Sequence, residues 1–283
     1  MEGQPGTLVL VATPIGNLED ISLRALRVLK EADILAVEDT RRTRKLLSRY
    51  EIPARMLSCH EHSETRRIPA LLAALREGKQ VALVSDAGTP GINDPGYRLV
   101  REAIKEGIPV TAVPGPSALI LALTLSGLPT DRFTFCGFLP RAREAGRKML
   151  SEVAAYPHTL VFFESPHRLR ASLALAFEVL GDREAALCRE LTKRFETIER
   201  ARLSGLLEKS RAEPALGEYC LVVAGRPEGE RQETDRKENL RLALQELATI
   251  KPESLKDAAR RLARKHGLSR REIYQAALER FHK

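Results

Sequence analysis

Residues 85–96, SDAGTPGINDPG, crowd three glycines, two prolines and two aspartates into one short stretch. Glycine permits positive φ and close backbone approach, while proline removes conformational freedom in advance, so this composition builds a rigid, concave wall of backbone groups. A surface loop without a ligand rarely needs so much fixed geometry, and we read 85–96 as a binding loop. Two other stretches share its character: Ala12-Thr13-Pro14-Ile15-Gly16-Asn17 and Val113-Pro114-Gly115-Pro116-Ser117-Ala118. None of the three is a G-x-G-x-x-G or a G-x-x-x-x-G-K-[ST], which counts against a dinucleotide or a nucleoside triphosphate. Their small net charge suits a neutral or zwitterionic ligand better. Three further clusters carry ionisable groups: Glu38-Asp39-Thr40-Arg41-Arg42-Thr43-Arg44-Lys45, Phe162-Phe163-Glu164-Ser165-Pro166-His167-Arg168, and Arg189-Glu190-Leu191-Thr192-Lys193-Arg194.

The elements around these clusters put each of them at a strand end. Short apolar runs at 7–12, 34–37, 81–84 and 109–113 read as buried parallel strands, and helical spacing recurs at 21–32, 40–49, 65–77, 94–106 and 116–125. Such β-α alternation predicts a mainly parallel sheet covered on both faces, with ligands beyond the carboxyl ends of its strands. After the turn-rich residues 128–131, strands are predicted at 133–137, 159–163, 185–189, 196–203 and 218–223, with helices at 142–154 and 165–180. These strands follow one another more directly, so the second sheet should be mixed. Residues 226–236 are polar and read as an exposed linker. Helices at 239–248, 254–265 and 269–281 follow, with Ser254 and Ser269 as N-caps and Gly267 as a stop, which resembles a helix-turn-helix unit. The reading is therefore an α/β chain of three parts: 1–127, 128–226 and a small helical unit over 237–283.

Composition bounds the function. The chain has 283 residues, 43% hydrophobic and 30% charged, with a net charge of +8. No apolar run reaches the ~20 residues that span a bilayer, and the first residues lack a signal-peptide pattern, so a cytoplasmic protein without membrane contact is expected. Cys59, Cys136, Cys188 and Cys220 are scattered, as are the six histidines, so neither a metal nor a disulfide framework is expected. The basic balance favours a polyanionic partner.

In this order, VATPIGNLEDIS, AVEDTRRTRKLL, SDAGTPGINDPG, VPGPSAL, GFLPR, FFESPHRL and RELTKRFE resemble the ribosomal RNA small subunit methyltransferase I family, in the tetrapyrrole methylase superfamily. The resemblance runs from about Thr7 to Gly225, and the last three helices resemble the family's helical appendage. It implies S-adenosylmethionine in a cleft between two α/β domains, 2′-O-methylation of a decoding-region cytidine of 16S rRNA in the 30S subunit, and a homodimer. By that resemblance the cofactor loops map to Thr13, Pro14, Ile15 and Gly16; to Gly88, Thr89, Pro90 and Ile92; to Ser117 and Ala118; and to Phe163. Thr89 stands where the family's usual aspartate would be, and Asp86 is the carboxylate that would compensate. For a general base the sequence offers Asp39, Asp86, Glu164, Glu190 and Lys193 without choosing among them. Arg41, Arg42, Arg44, Arg189 and Lys193 are expected to frame an RNA entrance, with Arg261 and Arg264 as further RNA contacts on the helical unit. Two rival readings remain: a tetrapyrrole methyltransferase, which the 5% aromatic content and absence of Trp disfavour, and a non-catalytic nucleic-acid-binding regulator, which leaves the rigid loops unexplained.

Overall fold

The computed structural model describes residues 5–212, 214–249 and 255–281. Along the first half run β1 (Leu8–Val11), α1 (Leu23–Glu31), β2 (Ile34–Val37), α2 (Thr40–Arg49), β3 (Met56–Ser58), α3 (Glu61–Arg76), β4 (Val81–Val84), α4 (Tyr97–Lys105) and β5 (Val110–Val113). The five strands form one sheet in the order β3-β2-β4-β1-β5, and every pairing is parallel. Alternate residues serve opposite faces. Leu8, Ile34, Val81 and Leu83 meet α3 and α4 on one side, while Val9, Val11, Leu35 and Val84 meet α1 and α2 on the other.

The connections from the adjacent strands β1 and β4 therefore leave toward opposite faces, which opens a crevice between their carboxyl ends. Register makes that rim flush: Val11 pairs with both Val84 and Val113, and Val84 pairs with Val37. The loops that follow these four strands are the ones singled out by composition, so they emerge side by side.

The second half runs through α5 (Ala118–Ser126), β6 (Phe133–Phe138), α6 (Arg143–Val153), β7 (Thr159–Glu164), α7 (Leu169–Leu180), β8 (Glu184–Arg189), β9 (Thr197–Arg202), α8 (Leu203–Ala212) and β10 (Tyr219–Val223). Its sheet has the order β6-β7-β10-β8-β9; β6 and β7 are parallel and the other pairings antiparallel, the mixed sheet expected. One face packs on α6, α7 and α8. The other is covered by α5, whose Leu119, Ala122 and Leu123 bury Val161, Ala186, Cys188 and Val222. The helix that follows β5 thus serves the second sheet and not the first. Pairing of Tyr219 with both Glu164 and Arg189 brings a second set of strand ends level, opposite the first rim.

The polar stretch 226–236 is corrected: it is not a linker, because α9 (Glu228–Thr249) begins inside it. Beyond Gly229 the segment holds neither Gly nor Pro and is rich in Glu, Gln, Arg and Lys, whose straight side chains lose little freedom in a helix. Polarity was the wrong guide there. α9 packs on α10 (Leu255–His266) and α11 (Arg270–Phe281) around Ala243, Ala259, Leu262 and Ile273. Gly267 turns the chain at φ +64°. Ser269 and Glu272 then cap α11 reciprocally, Glu272 N–H donating to Ser269 Oγ and Ser269 N–H to the Glu272 carboxylate. Ser254, the other expected cap, lies outside the described residues. Among the described residues no helix is long and apolar enough to cross a membrane.

Candidate functional site

The loop after β1 and the loop after β4 are laced together by their backbones. Thr13 N–H donates to Gly88 O at 2.9 Å and Gly88 N–H to Thr13 O at 3.0 Å, an isolated antiparallel bridge across the crevice. Thr13 Oγ1 also donates to Ser85 O and Ser85 Oγ to Gly88 O, so the turn closes on itself. Positive φ at Gly88, Gly91, Asn93 and Gly96 lets residues 85–96 coil back before α4 begins. The N-cap of α4, Gly96, has no side chain to offer. Buried Glu64 of α3 caps the helix instead, accepting from the N–H groups of Gly96 and Leu99.

The first loop also touches the second half. Ile15 inserts among the residues under α5. A Cβ on Gly16 would lie 2.4 Å from Lys193 Cγ, so only glycine admits that side chain. Asn17 N–H donates to Thr192 Oγ1 at 3.2 Å. Glu190 and Thr192 hold φ of 50° and 65°, and this αL turn aims Leu191 and Lys193 back at the first rim.

Between the rims lies a cleft with a volume of about 410 Å³. Of the residues expected to hold a cofactor, Ile15, Asp86, Gly88, Thr89, Ile92, Ser117, Ala118 and Phe163 line it. Thr13 and Pro14 instead face an adjoining cavity of about 160 Å³. Pro90 is buried behind the wall and Gly16 meets Lys193; neither lines the cleft. Phe163 is held by an edge contact from Phe135 at 4.9 Å between ring centroids and by Phe138 at 5.7 Å.

The expected bases separate. Asp39 is half-buried, caps α2 and chelates Arg41, which holds its carboxyl at about 2. Glu164 is buried and accepts from Ser165 N–H, Ser165 Oγ and Ser172 Oγ, with Arg168 Nε at 3.8 Å. Burial pushes Glu190 up, but its hydrogen bonds to Lys193 and Glu218 N–H outweigh this and leave it below its ordinary value. For Lys193, burial lowers the ammonium's pKa, yet hydrogen bonds to Glu190 and Glu218, both at 2.8 Å, raise it further. A lysine held protonated is no base. Asp86 remains at the cleft wall, accepting Asp39 N–H at 2.9 Å with Arg42 Nε at 3.5 Å.

Three wall residues escaped the sequence reading. Glu38 and Asp94 join Asp86 in one acidic face, and Glu218 stands across from them. Burial, then the charges of Glu38 and Asp86, pushes Asp94 up to about 7. Burial and Asp86 raise Glu38 as well. Sequence position gave one signal, since Glu38 and Glu218 flank strands and Asp94 lies in the loop between β4 and α4, but only the folded sheets show that they meet. The basic residues are split: Arg42 lines the cleft, Arg41 and Arg44 are exposed on α2, and Arg261 and Arg264 are exposed on α10. Arg189 is not at the cleft; its guanidinium bonds Leu216 O beside a separate small pocket.

Residues 7–207 match the tetrapyrrole (corrin/porphyrin) methylases. A ribosomal RNA small subunit methyltransferase I from Escherichia coli O157:H7 is 46% identical over 98% of this chain and 96% of its own length. One of the same name from Halalkalibacterium halodurans is 50% identical over 79% of this chain and 77% of its own. Among solved structures, the uroporphyrin-III-C-methyltransferase from Thermus thermophilus is similar with a TM-score of 0.53 and 25% identity, covering 77% of this chain and 94% of that one.

Proposed function

As a member of the tetrapyrrole methylase family, similar over most of its length to proteins named ribosomal RNA small subunit methyltransferase I, this chain is a methyltransferase, and we propose that it methylates the ribose 2′-hydroxyl of a decoding-region cytidine in 16S rRNA. The observation that carries the reading is the cleft, which fits the methyl donor, S-adenosylmethionine. Its wall at Gly88, bridged from behind by Thr13, its apolar lining and the acidic face of Glu38, Asp86 and Asp94 suit a cationic ligand without phosphate. When bound, that donor supplies a methyl group on a sulfonium, a good leaving group, so positioning contributes much of the rate. Ile15, Ser117, Ala118 and Phe163 would hold it, and Glu38, Asp86 and Asp94 would attract its positive charge. Methyl transfer to the ribose oxygen would leave the donor as a neutral thioether, and the hydroxyl proton would pass to a carboxylate. Asp86 is the expected base best disposed for this, since it faces both the cleft and the adjoining cavity.

Asp94 makes donor binding pH-dependent. Its carboxyl, about 7 in the free protein, attracts the sulfonium only when ionised. Donor affinity should therefore rise with pH, and fall up to about tenfold between pH 8 and pH 6. Calorimetry in buffers of different ionisation enthalpy should show proton release near pH 7. Asp94→Asn should flatten the profile, and a flat profile in the parent chain would remove Asp94 from the site.

The reading extends to a homodimer and to the cytoplasm, where such a substrate is found. Exposed Tyr97, Ile104 and Ile120 supply apolar area of the kind that self-association buries. The deciding experiment is transfer of labelled methyl to undermethylated 30S subunits, with the modified nucleotide mapped. Label on one cytidine ribose is expected; label on a base, or none on rRNA, refutes the proposal.

A further inference from the structure

We propose that the cavity adjoining the cleft seats the sugar–phosphate of the nucleotide to be methylated, with Thr43 as its buried hydrogen-bond donor. This inference rests on the rRNA methyltransferase reading and deepens it. The cavity, about 160 Å³, is too small for a tetrapyrrole. Thr13 and Pro14 wall it from the first loop, Thr43 and Lys45 from α2, and Arg42 and Asp86 are shared with the cleft. The shared residues make the partition: a ligand on one side of Asp86 lies next to a ligand on the other.

Thr43 is 4% exposed, and its Oγ1 has no hydrogen-bond partner among the described residues. A threonine inside a helix ordinarily turns its hydroxyl back onto a carbonyl one turn earlier, as Thr124 does to Ile120 O. A buried hydroxyl without a protein partner, on a residue that lines a cavity, is a donor that an incoming oxygen can satisfy. Charge indicates its kind. Two cations, Arg42 and Lys45, meet one carboxylate, Asp86, and Arg42 reaches Asp86 only at 3.5 Å, loose enough to exchange for a phosphate oxygen. The Pro14 ring adds an apolar surface for the pentose. A phosphodiester held by Thr43 Oγ–H, Arg42 and Lys45 would set its ribose against Asp86, at the wall of the methyl-donor cleft.

The test uses the full chain and undermethylated 30S subunits, with Thr43→Val, Thr43→Ser and Lys45→Gln. Thr43→Val should raise KM for the subunit at least fivefold, with kcat and the dissociation constant for S-adenosylmethionine within twofold of the parent. Its Tm should be unchanged or higher, because a buried hydroxyl without a partner has been removed. Thr43→Ser should restore KM. Lys45→Gln should raise KM and reduce the salt dependence by about one phosphate contact. A Thr43→Val protein with parental KM, or with a lowered Tm that reveals a structural partner, would overturn the subsite while parental transfer to rRNA left the function standing. Absence of transfer by the parent chain would overturn both.

Discussion

A Gly88→Val protein should bind S-adenosylmethionine about a hundredfold more weakly than the parent while keeping most of its fold. Gly88 sits at φ +80°, where an L-residue is strained and a β-branched one more so. Both its N–H and its carbonyl are committed to Thr13, so the residue cannot rotate away without breaking the bridge that joins the two loops. A Cβ there would stand 3.4 Å from Ile15 Cγ2 and 3.7 Å from Pro116 O. That contact is tolerable for one carbon, but the two further carbons of valine must displace Ile15 or enter the cleft. Ile15 is itself wedged under α5. A hundredfold loss corresponds to about 2.7 kcal/mol, in keeping with strain of ~1–3 kcal/mol plus lost contact with the ligand. Calorimetry with the donor, alongside circular dichroism, reads both parts; parental affinity would show that this wall does not touch the cofactor.

The second large effect is on stability. Glu164→Ala should destabilise the chain by about 3 kcal/mol, a fall of roughly 5–10 °C in Tm. Glu164 ends β7 with 3% exposure and gathers the start of the next helical segment: Ser165 N–H at 2.8 Å, Ser165 Oγ, Ser172 Oγ and the more distant Arg168. Removing the carboxylate strands the buried Ser172 hydroxyl and the half-buried Ser165 N–H and leaves Arg168 with only the Leu139 and Pro140 carbonyls. Glu164→Gln keeps an acceptor for Ser165 and should lose clearly less. Equal Tm values for the alanine and parent proteins would mean that Glu164 is held for the reaction and not for the fold.

Glu164 also shows what could be read from sequence and what could not. Its position at a strand end, before Ser165-Pro166, was legible, and it does face the cleft; the hydrogen bond it accepts from Ser172, eight residues further on, was not. The strands and the three Gly-Pro loops were legible because apolar runs and glycine-proline composition are local signals. β3, at Met56–Ser58, was missed because it is only three residues long and half-buried, too short to show a period. α8 was hidden behind the preceding strand signal at 196–203. Glu38 and Asp94 lay in clusters already noticed, yet their shared wall depends on the pairing of β2 with β4 and on the coil of the loop after β4. The orphan state of Thr43 is a fact of packing, with no trace in composition.

The placement of α5 has a consequence for synthesis on the ribosome. Residues 118–126 leave the exit tunnel before every strand that they will cover. Until β10 is made, Leu119, Ala122 and Leu123 have no finished sheet to rest on. The first half therefore emerges with a bare apolar helix at its trailing end, and the second sheet is built onto that helix as its strands follow. A break after residue 127 would divide one cooperative unit, leaving Val161, Ala186, Cys188 and Val222 uncovered on one fragment and their cover on the other.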